Sequence, residues 1–271
     1  MQLVIFPSPS PVVVVHRYNS AAFPTFAPLF ETIADSSPLH RFARDAEEAA
    51  FSIVLENRSE KTITAWRYQW ARTSAAGDRR IHRFSGDSYG VDVFRPVAAA
   101  RSRHLITPSA SVDEALLEKT RAGGGLIGRV SREKRSWTDV VELTFEIQFL
   151  LFADGEIAGP DPDHYALELQ CRKRGAEFIA KQIRLAEAEG RDVTPVLSAL
   201  AEAPSLGGLG LAQGDPLFHW VRHYASDFLR SMHRKLGEFD MSEAKLRHLE
   251  NRPDLPKFYR RPPPPQITQE P

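Results

Sequence analysis

The chain has 271 residues, 42% of them hydrophobic and 26% charged, which excludes a disordered protein and allows one large domain or two ordinary ones. Its 35 Lys and Arg balance its 35 Asp and Glu, and a split after Ile157 leaves 19 of each sign on one side and 16 of each on the other. Neither part has the basic excess of a nucleic-acid-binding domain, so nucleic acid is not an expected partner.

The lone cysteine, Cys171, excludes an intramolecular disulfide and a cysteine-rich zinc site, and it suits a reducing compartment. It falls in a helical pattern and reads as a buried, inert thiol. The opening M-Q-L-V-I-F-P-S-P-S-P-V-V-V-V-H has no Lys or Arg before its apolar residues, and Pro7, Pro9 and Pro11 interrupt it. No secretory signal is expected from that pattern, and the expected setting is cytoplasmic. No run reaches the roughly 18 apolar residues of a membrane helix, so no membrane span is expected.

In chain order, residues 1–44 read as an irregular segment whose Phe23, Phe26 and Phe30 anchor it to a neighbouring core. Strands are expected at 50–57, 62–72, 81–84, 89–94, 103–107, 126–130 and 140–152, separated by turn residues. The last is the clearest: Leu143, Phe145, Ile147 and Phe149 alternate with Glu142, Thr144, Glu146 and Gln148, the period of a strand covered on one face. Asp154-Gly155 then favours a hairpin turn. Ser111 and Glu114 form a capping box that predicts a short helix through about residue 121. The glycines at 123–125 break it.

Beyond residue 157 the pattern turns helical. Asp161-Pro162, Thr194-Pro195 and Asp215-Pro216 each place a capping residue before a proline, and predict helices to about 189, 203 and 236. A last short helix is expected over 242–251. The tail, residues 252–271, ends in R-R-P-P-P-P-Q-I-T-Q-E-P and reads as disordered or extended polyproline. The fold class expected is therefore α+β by segregation. An antiparallel β-sandwich of about seven strands, residues 45–157, precedes an α-helical region of three to four helices, residues 158–251.

The strand pair around N-R-S-E-K-T-I-T-A-W and the exit hairpin F-A-D-G-E-I-A-G-P resemble the immunoglobulin or fibronectin III-like sandwich as it occurs in bacterial proteins. The resemblance covers under half the chain, implies a scaffold that can bind a partner, and brings no catalytic residues with it.

Two clusters offer chemistry. Trp66, Tyr68 and Trp70 leave one face of their strand. Exposed, they would form a platform for sugar rings; buried, they would form the aromatic centre of the sandwich. Arg67 and Gln69 on the opposite face need water, which favours the buried alternative. His219, His223 and Asp227 recur every fourth residue along one helix, and the two histidines have the spacing of a zinc helix. The stripe lacks the glutamate a metalloprotease uses as base, and a site would need His164, His233 or another group to converge on it.

Weaker signals have plainer explanations. The G-G-G-L-I-G stretch at 123–128 matches a dinucleotide fingerprint but stands before a strand rather than a helix, so no cofactor is expected. Asp154, Glu156, Asp161 and Asp163 lack calcium-loop spacing and serve turns and caps. Arg129, Arg132, Lys134 and Arg135 are diluted by Glu133 and Asp139 and read as a solvated loop. Arg260-Arg261 before the prolines resembles a polyproline ligand. The leading expectation is a non-catalytic binding or scaffold protein with a protein partner. A metal-dependent hydrolase through the helix stripe and a carbohydrate-binding module through the aromatic strand are the alternatives.

Overall fold

The structure, a computed structural model, describes residues 2–30, 49–89, 97–108, 110–114, 117, 129–130, 139–202, 214–232, 235–236 and 239–260. The fold class is α+β. In chain order the elements are β1 (Gln2–Ile5), β2 (Val13–Arg17), a 3-10 helix (Pro24–Leu29), β3 (Ile53–Asn57), β4 (Ile63–Ser74), β5 (Arg79–Asp87), β6 (Arg103–Ile106), β7 (Ala110–Asp113), β8 (Arg129–Val130), β9 (Val140–Phe152) and β10 (Glu156–Ala158). They are followed by α1 (Tyr165–Ala188), α2 (Val193–Glu202), α3 (Pro216–Met232), a small hairpin of β11 (Lys235–Leu236) and β12 (Phe239–Asp240), α4 (Met241–Glu250) and β13 (Tyr259–Arg260). The chain forms two compact units: one holds β1 to β10 with β13, the other the four α-helices with the small hairpin.

The first unit has two sheets. One follows the order β13-β10-β9-β4-β5, with β1 also against β9; the other follows β2-β3-β6-β7-β8. The second is antiparallel throughout. The first is mixed rather than purely antiparallel, because β1 runs parallel to β9 and β13 parallel to β10. Strands far apart in sequence are free of the hairpin geometry that forces neighbours to alternate.

Bulges set which side chains enter the core. Arg67 stands opposite Phe149 and Tyr68 opposite Ile147, so Gln148 has no partner position. The extra residue inverts the parity of β9. Leu143, Phe145 and Ile147 point into the core before it, and Leu150 and Phe152 after it. Phe149, expected on the same face as Phe145, is fully buried but takes the other parity. β4 makes the same correction at Thr64, whose hydroxyl donates to the Leu151 carbonyl at 3.2 Å, and Ile63 and Trp66 then both face inward. Val13, Ile53, Leu55 and Ile106 of the other sheet complete this core.

The chain leaves β10 at Gly159, with φ at +102° and a Cβ position only 2.5 Å from the Gln148 carbonyl oxygen. Only glycine fits so close a backbone approach. At the other edge of β10, Lys61 bridges Asp154 and Glu156, both at 2.6 Å, and the Tyr259 hydroxyl donates to Asp154 at 2.8 Å. These contacts seat β13.

Several expectations shift. Residues 1–44 contain β1, β2 and the 3-10 helix, whose Phe26 and Leu29 are buried against Val54, Leu105 and Val112 on the outer face of the second sheet. Ser111 does not cap a helix: it pairs with Ile106 in β7 and Val112 joins the same outer cluster, while Glu114 and Leu117 beyond the strand are helical, so sheet pairing moves the helix start past the expected capping residue. The expected 81–84 strand extends over the whole of β5, and residues 90–94 of the next lie outside the described residues, as do 118–128, 131–138, 203–213 and 261–271.

In the second unit, α1 and α3 bury Ile179, Ile183, Val221, Tyr224 and Phe228 in one core with Leu197 of α2 and Leu246 and Leu249 of α4. Gly175 sits where α1 crosses α3; a Cβ there would lie 3.0 Å from the Trp220 Cβ. Cys171 is buried in this core, and that burial pushes its thiol up, so it stays protonated. The capping residues act at shifted places. Asp161 caps from four residues ahead of α1, accepting the Tyr165 and Ala166 N–H groups at 2.6 and 3.2 Å. Asp192, not Thr194, caps α2 through the Thr194 N–H at 2.9 Å. Asp215 caps α3 through the Leu217 N–H at 2.7 Å. That helix ends at Met232, before the small hairpin, rather than at 236.

Candidate functional site

The aromatic strand face is closed. Trp66, Tyr68 and Trp70 are only 6%, 4% and 1% exposed. Trp66 meets Tyr68 edge-on at 5.8 Å, Tyr68 stacks on Phe84 at 5.4 Å, and Trp70 leans on Phe145 at 4.8 Å. Rings committed to one another in a core cannot stack on a sugar, so the platform expected for carbohydrate is absent from this face. The reason is the one legible in the strand itself: Arg67 and Gln69 take the opposite, wetter face.

A Ser-His-Asp set that local sequence does not reveal comes together across β6 and β7. His104 Nε2 lies 2.9 Å from Asp113 and 3.3 Å from the Ser102 hydroxyl. Both contacts fall on the same ring nitrogen. A catalytic relay needs the serine on one nitrogen and the acid on the other. His104 is also only 2% exposed. This set is a structural tie between paired strands.

The helix stripe is exposed and lies beside a cavity. His219 and His223 project from the solvent side of α3, with ring centroids 6.4 Å apart and planes 23° from parallel. Trp220 meets each of them edge-on, at 5.3 and 5.1 Å, and Tyr224 meets His223 at 5.4 Å. Partial burial holds the His223 imidazole below its ordinary range; His219, Arg230 and Lys245 act in the same direction, against Asp227.

Asp227, third in the stripe, does not turn to the histidines. Lys245 of α4 donates to its carboxylate, and Arg230 lies 3.5 Å from the other oxygen. Burial pushes the Asp227 carboxyl up, but the Lys245 hydrogen bond and the surrounding positive charge outweigh it and hold it below the usual carboxylate range. Among the described residues no three His, Cys, Asp or Glu side chains converge as metal ligands. His233 lies outside the described residues.

The cavity has a volume of about 470 Å³, and its lining includes His219, Arg222, His223, Ser226 and Arg230 of α3, with Ala201 from α2 and Asp215 at the helix entry. Arg222 Nε donates to the Ala201 carbonyl at 2.8 Å, and its guanidinium lies 5.6 Å from the Phe218 ring centroid. No carboxylate pairs with it among the described residues. The contrast with the other polar groove, about 320 Å³ beside β3 and β6, is direct. There Arg58 meets Glu56 at 2.7 Å, Arg101 meets Glu60 at 2.5 Å and Arg103 meets Glu56 at 3.5 Å, so each guanidinium already has a counter-charge. In the α3 cavity Arg230 likewise has Asp227 at 3.5 Å, and Asp215 adds a carboxylate to the lining, which leaves Arg222 as the guanidinium of this cavity with no carboxylate among the described residues.

The sequence pattern finds His219 and His223 but passes over Arg222 and Arg230. Their signal was present as basic residues on the same helix flank; what was missing was Ala201 of α2, whose carbonyl holds Arg222 beside the histidines. Among the described residues no helix is long and apolar enough to cross a membrane. Comparison with family models, curated proteins and solved structures gives no match.

Proposed function

We propose that this is a non-catalytic binding protein whose helical unit carries the binding site, the cationic cavity on α3, and that the cavity receives an anionic group of a ligand or protein partner. Arg222 is the observation that carries this reading. Its guanidinium is oriented by the Ala201 carbonyl, lines the cavity and has no carboxylate partner among the described residues. A guanidinium without a counter-charge has N–H donors to offer, and an arriving anion accepts them and supplies the missing charge.

The metal-dependent hydrolase reading has less support. A catalytic metal needs about three protein ligands and an open position, and Asp227 is already engaged by Lys245 and Arg230. For the β unit we infer a scaffold of the immunoglobulin or fibronectin III-like kind with about seven core strands. The single core fed by both sheets supports it, while the parallel β1 and β13 are additions to that pattern. A reducing, cytoplasmic setting is supported by the lone buried cysteine.

The test is calorimetric titration of the full chain with sulfate, citrate and a neutral sugar, repeated on Arg222→Gln. Binding of an anion but not the sugar, weakened at least tenfold in the variant, is the expected result. Failure of every anion to bind would overturn this reading.

A further inference from the structure

The His223 ring is exposed but has aromatic neighbours on its own helix. Trp220 and Tyr224 bracket its ring, and Trp220 is itself backed by the Arg172 guanidinium of α1, 4.6 Å from its ring centroid. The imidazole is therefore a positioned group at the cavity wall, with Arg222, Ser226 and Arg230 sharing that wall.

The charges around it are mixed. On α3, Asp227 favours a proton on His223, while His219 and Arg230 oppose it; from α4, Lys245 opposes it as well. α2 brings only Ala201 to the lining, and Asp215 brings a carboxylate whose Oδ1 is occupied by the Leu217 N–H. Partial burial adds to the opposition. These groups together favour a neutral His223, and a negative charge placed beside it acts against them.

The donors also indicate which anion. A carboxylate offers two oxygens in one plane and is satisfied by a single guanidinium fork. Here the Arg222 guanidinium, a hydroxyl and two imidazoles line one cavity from separate positions on the helix, with Arg230 shared with Asp227 and the Asp215 carboxylate at the helix entry. Such a spread suits a tetrahedral group with three acceptor oxygens and two charges. At about 470 Å³ the cavity also has room for more than the bare ion.

Resting on the anion-binding reading above, we propose that the α3 cavity binds a doubly charged oxyanion of the phosphate-ester class and takes up one proton from solvent at His223 as it does so. Binding therefore strengthens as pH falls.

Sulfate is the probe, because it stays doubly charged between pH 6 and 8 and any pH dependence then belongs to the protein. Its Kd is measured by calorimetry on the full chain at several pH values, with citrate as the carboxylate control. The pH titration of the His223 ring is followed by NMR with and without sulfate. The expected result is a Kd that weakens with rising pH by at most about tenfold per unit, the limit for one proton. His223 should titrate at higher pH when sulfate is present. His223→Gln, with its fold checked by circular dichroism, should bind sulfate with a Kd that no longer follows pH. Sulfate binding that is flat with pH, or whose pH dependence survives in His223→Gln, overturns the proton uptake and leaves the anion pocket standing. Citrate binding without sulfate binding overturns the oxyanion class. Binding of neither anion overturns the underlying reading together with this one.

Discussion

The ammonium of Lys245 on α4 donates a hydrogen bond to the carboxylate of Asp227 on α3. That contact ties the last helix to the one bearing the cavity, and it removes from the histidine stripe the acid that would have completed a metal site.

Because Asp227 is held below the usual carboxylate range, its contribution to stability has a defined sign. It is fully present above the unfolded value, near 3.9, and is lost as pH falls through the lower folded value. Both side chains are 29% exposed, so the pair contributes on the order of 1 kcal/mol. Asp227→Asn should therefore lose about that much in urea unfolding at pH 7, with the gap from the parent closing below about pH 4. A gap that is the same at pH 3.5 and pH 7 would mean that Lys245 does not act on an ionised Asp227.

Gly159 and Gly77 both have positive φ, +102° and +86°, but differ in their surroundings. At Gly77 nothing among the described residues lies within 4 Å of where a Cβ would stand, so Gly77→Ala adds only backbone strain, about 1 kcal/mol. At Gly159 the same change also drives a methyl into the Gln148 carbonyl, so Gly159→Ala should cost at least about 2 kcal/mol more. Equal melting temperatures for the two variants would refute the close β10–β9 approach.

Trp70 is almost fully buried, yet its indole N–H has no hydrogen-bond partner among the described residues. Trp70→Ala should cost about 3–5 kcal/mol through the cavity it leaves. Trp70→Phe keeps most of the packing and removes an unsatisfied donor, so it should cost under about 1.5 kcal/mol. Denaturant midpoints of the two variants separate these effects; similar losses for both would show that the N–H is satisfied in solution.

Asp161→Ala removes the cap on the first N–H groups of α1 and should destabilise the protein by about 1 kcal/mol. Hydrogen exchange at Tyr165 and Ala166 reports it locally: both amides should exchange faster in the variant, and unchanged protection would place the cap elsewhere.

What could be read without the structure was whatever depends on neighbours in the chain. The alternation of Leu143, Phe145 and Ile147 announces β9, and Asp215-Pro216 announces α3, because pleat and cap are local geometry. The wet partners Arg67 and Gln69 are enough to turn Trp66, Tyr68 and Trp70 inward. Parity beyond Gln148 could not be read, since a bulge is defined by the strand opposite, and β4 lies some eighty positions away. Ser111 carries a capping signal at short range and loses it to pairing with Ile106. For the candidate site, the sequence by itself determined the spacing of His219, His223 and Asp227 along one helix flank. Only the tertiary structure decided that Lys245 claims Asp227, and that Ala201 orients Arg222 beside the histidines. Spacing along a helix is set by the backbone repeat, whereas which charges are neutralised depends on what other helices bring to them.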